Sequence, residues 1–134
     1  MKSRLFDHID LRVTNLEAAD AFYSVVLPAI GFPQRRVGAD YIAYESSRDH
    51  SKPEFISLIE DTEHLPNKTR IAFWCDTREE VDQVAAVLPR AKALNLEGPM
   101  FNPDYGAGYY AVFFEDPCGN RLEVCCRVAK TNDA

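Results

Sequence analysis

Four cysteines, three histidines and a scatter of carboxylates and guanidiniums are the groups in this 134-residue sequence with chemistry to offer. It has no Ser-His-Asp order, phosphate-cradling loop, dinucleotide fingerprint or Cys-x-x-Cys pair, so nucleotide hydrolysis, hydride transfer and thiol redox have no support. Cys125 and Cys126 are adjacent, and on a strand they point to opposite faces, which argues against a shared zinc. With Cys75 and Cys118 they read as reduced apolar fillers.

Arg70 offers a planar fork of donors suited to a carboxylate or phosphate. Trp74 shares its strand parity and would stack on a planar ligand or pack under a loop. Glu123 has the parity of Arg121 and Cys125, opposite apolar Leu122 and Val124, and a carboxylate held there needs a partner. Tyr109 and Tyr110 are consecutive, so one faces the interior and one the helices; alternation alone does not say which. The stretch 102–108, with two glycines and an aromatic, fits a mobile lid or an ordinary turn. His50 and His64 fall in polar loops, where a solvated imidazole is the default.

These groups are positioned by regular elements. Residues 6–13 alternate, setting Ile9, Leu11 and Val13 on one face and His8, Asp10 and Arg12 on the other, as a half-buried strand does. Thr14 or Asn15 caps a helix carrying Leu16, Ala19, Phe22, Tyr23 and Val26, which Pro28 and Gly31 stop. Strands follow near 33–37, 40–46 and 54–60. The opening pattern then returns: a strand at 70–75, a cap at Asp76 or Thr77, a helix from Arg78 to about Leu94, and strands near 98–102, 108–115 and 121–127. Sliding the chain by 62 residues sets His8 on Arg70, Leu11 on Phe73, Glu17 on Glu79 and Asp20 on Asp82, an internal duplication.

Each half reads β-α-β-β-β, and neither is large enough to bury both faces of its sheet. The pattern predicts one α+β domain over 1–134, with modules at about 5–62 and 68–128. They would form an eight-stranded, incompletely closed mixed barrel with helices outside and a ligand cavity between the halves. The composition, 46% hydrophobic and 27% charged, is that of a folded protein. A net charge of −6 and no basic run disfavour nucleic acid, and no apolar run reaches membrane-span length. The expected location is cytoplasmic.

The duplicated architecture, with Phe6-Asp-His-Ile-Asp-Leu-Arg-Val13 and Phe114-Glu-Asp-Pro-Cys-Gly-Asn-Arg-Leu-Glu-Val124, resembles the vicinal oxygen chelate superfamily of glyoxalases, bleomycin- and fosfomycin-resistance proteins and extradiol dioxygenases. The resemblance implies one divalent metal (Zn, Ni, Mn or Fe), with His8 and Glu123 as ligands and catalytic groups. Arg70 and Ser57 stand where the other two ligands would be, and both are poor ligands, so the set is incomplete. The resemblance also implies a homodimer and a small-molecule ligand; the residues expected to contact that ligand are Arg70, Ser57, Trp74, Tyr109 and Tyr110. Two functions stand side by side: a metal-assisted lyase, isomerase or dioxygenase on a small oxygenated substrate, and a metal-free protein of the bleomycin-resistance type that sequesters a drug or metabolite.

Overall fold

The computed structural model describes residues 1–128 and divides into two compact units, one running from Met1 to Leu65 and one beginning at Pro66. Each unit is a βαβββ module, and together they give the α+β fold with two four-stranded mixed sheets and two helices.

In the first unit, β1 (His8–Val13), α1 (Leu16–Ile30), β2 (Gln34–Val37), β3 (Tyr41–Glu45) and β4 (Phe55–Glu60) form a sheet of order β1-β4-β3-β2. The β1–β4 pair is parallel and the others antiparallel. Asn15 caps α1 by accepting the Ala18 N–H at 2.8 Å, and the Glu60 carboxylate takes the Leu16 N–H at 2.8 Å, so two oxygens satisfy the helix's first donors. The helix runs past Pro28 to Ile30 and ends at Gly31, whose φ of 132° suits glycine. A proline in the last turn removes one donor without stopping the chain short. Phe22, Tyr23, Val26 and Leu27 pack with Val13, Ile42, Ile56 and Leu58 to form the unit's core.

A polar cluster ties α1 to this sheet. Asp20 accepts from Arg35 at 2.8 Å and from the Tyr44 hydroxyl at 2.5 Å. Burial alone would raise the Asp20 pKa, but these hydrogen bonds and the Arg35 charge outweigh it and lower the value below the usual 3.8. A depressed carboxyl pKa contributes stability that is complete above the unfolded value and lost as pH falls through the folded one. Thermal melts of Asp20→Asn and wild type should therefore converge as pH drops below about 4. A constant gap down to about pH 2 would remove the ion from this role.

The second unit repeats the order with β5 (Arg70–Trp74), α2 (Arg78–Ala91), β6 (Leu94–Phe101), a 3-10 turn at Pro103–Tyr105, β7 (Tyr109–Glu115) and β8 (Arg121–Arg127). Its sheet order is β5-β8-β7-β6, with β5 parallel to β8. Thr77 accepts the Glu80 N–H at 3.1 Å, while the Glu80 carboxylate takes the Asp76 N–H at 2.7 Å, close to a reciprocal capping box. The helix ends at Ala91, short of the expected Leu94, because Lys92 adopts a left-handed φ of 63° and donates back to Leu88 and Pro89. The alternating Leu94-Asn-Leu-Glu97 stretch that follows is strand. Among the described residues, no helix is long and apolar enough to cross a membrane.

Candidate functional site

His8 opens β1. Its ring stacks on Phe55 with centroids 4.7 Å apart, Nδ1 lies 2.7 Å from the Asp7 carboxylate, and Nε2 lies 3.7 Å from Asp10. The hydrogen bond from His8 lowers the Asp7 pKa. On β4, Ser57 sits opposite Asp10 and is buried. The Phe55 ring also carries the Arg36 guanidinium, 5.6 Å from its centroid. This face of the first sheet, turned away from α1, is thus an imidazole, an aromatic ring and a guanidinium with carboxylates at the edge.

In the second unit, the register sets Arg70 opposite Arg121, Ala72 opposite Glu123 and Trp74 opposite Cys125. Across β8, Glu123 faces Phe113, Cys125 faces Ala111 and Arg127 faces Tyr109. One face, turned away from α2, therefore carries Arg70, Trp74, Phe113, Glu123 and Tyr109. The Tyr109 hydroxyl donates to Glu123, and both residues are buried. Burial, reinforced by contacts with Cys125 and Glu123, raises the Tyr109 pKa and keeps it a donor. Tyr110 is on the α2 side, its hydroxyl donating to Asp82 at 2.7 Å; burial, then this bond, pushes its pKa up to about 12. Trp74 is 57% exposed, with its indole N–H on Asp76 at 2.8 Å.

The Arg70 guanidinium lies 5.0 Å from the Phe113 centroid. Among the described residues it makes no ion pair with Glu123, whose partner is Tyr109. Arg70 lines a cavity of about 290 Å³ with Asn95, Glu97, Asn102, Tyr105 and Phe113. Tyr105, carried by the 3-10 turn, meets Tyr109 and Phe113 edge-on at 5.4 and 6.4 Å, and its carbonyl accepts from Arg127 at 3.2 Å. A larger hollow of about 640 Å³ lies along Met1–Phe6 and is lined by Lys2, Arg4, Arg48 and Glu54; both of its guanidiniums are engaged, Arg48 with Glu54 at 2.9 Å and Arg4 with Asp7 at 2.8 Å. Arg70, in the smaller cavity, enters no ion pair among the described residues.

Sequence reading missed the β6 wall, Asn95 and Glu97. Register shifts on either side of Glu97, with Asn95 at φ 49° and Gly98 at φ 93°, break the period of two that reveals faces. A Cβ on Gly98 would meet the Ala111 carbonyl oxygen at 2.8 Å. Gly98→Ala is accordingly expected to cost about 1–3 kcal/mol in denaturant melts, through strained φ and backbone collision. An unchanged midpoint would contradict that geometry.

The family model of the Glyoxalase/Bleomycin resistance protein/Dioxygenase superfamily matches residues 5–124. The chain belongs to this superfamily. Among similar solved structures, a glyoxalase/bleomycin resistance protein from Albidiferax ferrireducens T118 aligns at TM-score 0.74 and 20% identity, over 92% of this chain and 98% of that one. The fosfomycin resistance protein FosX from Listeria monocytogenes aligns at TM-score 0.70 and 18% identity over 96% of each chain. Lactoylglutathione lyase from Agrobacterium tumefaciens gives 0.65 and 20%, over 93% and 96%. At these identities the likeness is one of fold. No curated protein matches the chain in sequence.

Superfamily members often use a divalent metal, and the donors here do not fit one. Among the described residues, no three His, Cys, Asp or Glu side chains gather to hold an ion. The second unit opens its first strand with Arg70, a permanent cation, where the first opens with His8. Ser57, a neutral hydroxyl, occupies in β4 the place Glu123 has in β8, each opposite the third residue of its parallel partner.

Proposed function

We propose that this superfamily member binds a small carboxylate-bearing organic molecule on the α2-distal face of its second sheet, without metal, and sequesters it unchanged. The observation that carries this reading is the Arg70 guanidinium, which lines a cavity and has no carboxylate partner among the described residues. Its planar fork matches a carboxylate, and Tyr105 and Phe113 give an aromatic body something to lie against. Tyr109 and Glu123, satisfied by each other, stiffen the floor, and Trp74 lies along the same face. Tyr110 is committed to α2, while His8 and Ser57 stand in the first unit; this binding needs none of them.

A suitable probe is 3-phenylpropanoate. At about eleven non-hydrogen atoms and about 0.3 kcal/mol each, its expected Kd is several millimolar. Chelator-treated protein should keep this affinity, and Zn, Ni, Mn or Fe should leave the melting temperature unchanged, since an ion bound only by the folded state would raise it. One equivalent of ion, bound tightly and lost in His8→Ala and Glu123→Ala, would replace this reading with the metal-assisted lyase, isomerase or dioxygenase. As a member of this superfamily the protein is proposed to be a cytoplasmic homodimer; sedimentation at micromolar concentration checks the assembly.

A further inference from the structure

The cavity beside Arg70 holds a second uncommitted charge. Glu97, on β6 opposite Phe113, lines the same space, and among the described residues neither Glu97 nor Arg70 enters an ion pair. Three other pairs of opposite charge close on each other, Arg35 with Asp20 at 2.8 Å, Arg48 with Glu54 at 2.9 Å, and Arg4 with Asp7 at 2.8 Å, whereas Glu115 and Arg121, opposite each other on β7 and β8, form no ion pair among the described residues. Here the cation and the anion face one space and stay apart. The third charged wall, Glu115, already accepts the Asn95 amide at 3.0 Å.

Arg121, opposite both Arg70 and Glu115 in the sheet, adds a second guanidinium beside the lining, so a ligand with a carboxylate alone can sit on Arg70 but leaves Glu97 without a partner. A ligand carrying an ammonium as well engages both charges. From this pairing, which rests on the Arg70 site proposed above, we infer that the ligand is a zwitterion of amino-acid size: its carboxylate sits on Arg70 and its ammonium on Glu97. A volume of about 290 Å³ equals about ten waters at about 30 Å³ each, at the lower edge of pockets for drug-sized compounds. The Asn95 and Asn102 amides add polar wall between the charges, and Tyr105 and Phe113 would take an apolar side chain.

Three compounds sharing one carbon skeleton test the inference by NMR titration of the full chain: L-phenylalanine, 3-phenylpropanoate without the ammonium, and 2-phenylethylamine without the carboxylate. L-Phenylalanine is expected to bind about tenfold more tightly than either relative, the worth of one charge-assisted contact in a solvent-accessible site. Glu97→Gln should bring it to the level of 3-phenylpropanoate without weakening 3-phenylpropanoate itself. Equal affinities for the two carboxylates in wild type, or an L-phenylalanine advantage that survives Glu97→Gln, overturns the zwitterion inference. If both compounds are then lost in Arg70→Gln, the carboxylate site stands without it. Carboxylate binding that ignores Arg70→Gln, or no binding to wild type, removes the site and the inference together.

Discussion

Arg70→Gln should weaken 3-phenylpropanoate about 10- to 30-fold while leaving the melting temperature within about 2 °C of wild type. The affinity loss corresponds to roughly 1.5–2 kcal/mol, the lower half of the range for hydrogen bonds to a charged group, because Arg70 is solvent-exposed and screening reduces its worth. Stability is spared because the side chain rests on the Phe113 ring and closes no ion pair among the described residues. Arg70→Lys should fall between the two, keeping the charge and losing the planar fork. The NMR titration reads all three, with Arg70→Gln far from saturation at ligand concentrations that saturate wild type. An Arg70→Lys variant as weak as Arg70→Gln would mean that fork geometry, rather than charge, holds the carboxylate.

The largest loss of stability is expected from Asp116→Ala, in the turn between β7 and β8. The Asp116 side chain is fully buried. One carboxylate oxygen accepts the N–H groups of Cys118 and Asn120 at 3.0 and 2.9 Å, and the other accepts the Asn120 side-chain amide at 2.9 Å. The backbone closes around it through Gly119 N–H to Asp116 O at 3.0 Å, with Gly119 at φ 96°. Deleting the carboxylate strands buried donors, which should cost about 3–4 kcal/mol and lower Tm by about 10–15 °C. Asp116→Asn keeps an acceptor for the backbone donors but opposes the Asn120 amide with a second donor, so it should lose about half as much. Equal losses in the two variants would mean that the charge, and not the acceptor geometry, holds the turn.

That turn also shows why so much of the fold was legible. Asp116-Pro-Cys-Gly-Asn120 is readable in sequence because four of its five residues each have one job: an acceptor carboxylate, a residue of fixed φ, a positive-φ glycine and a side-chain donor. The 62-residue repeat survives as two strands opened by His8 and Arg70 and two helices capped by Asn15 and Thr77. Strand parity likewise put Arg70, Trp74 and Glu123 on one face, because β5 and β8 keep a regular register. Tyr109 and Tyr110 could not be assigned from a run in which both neighbours are apolar; their partners, Glu123 and Asp82, lie 14 and 28 residues away. The Glu97 wall stayed hidden for a different reason, since two irregularities in β6 reset its faces between Leu94 and Met100.

A crystal structure of the chelator-treated protein soaked with saturating L-phenylalanine decides where a ligand sits and what holds it. Both carboxylate oxygens should lie within about 3 Å of the Arg70 guanidinium nitrogens, with the aromatic ring against Tyr105 or Phe113. Density for the compound elsewhere, with the Arg70 cavity empty, would contradict this.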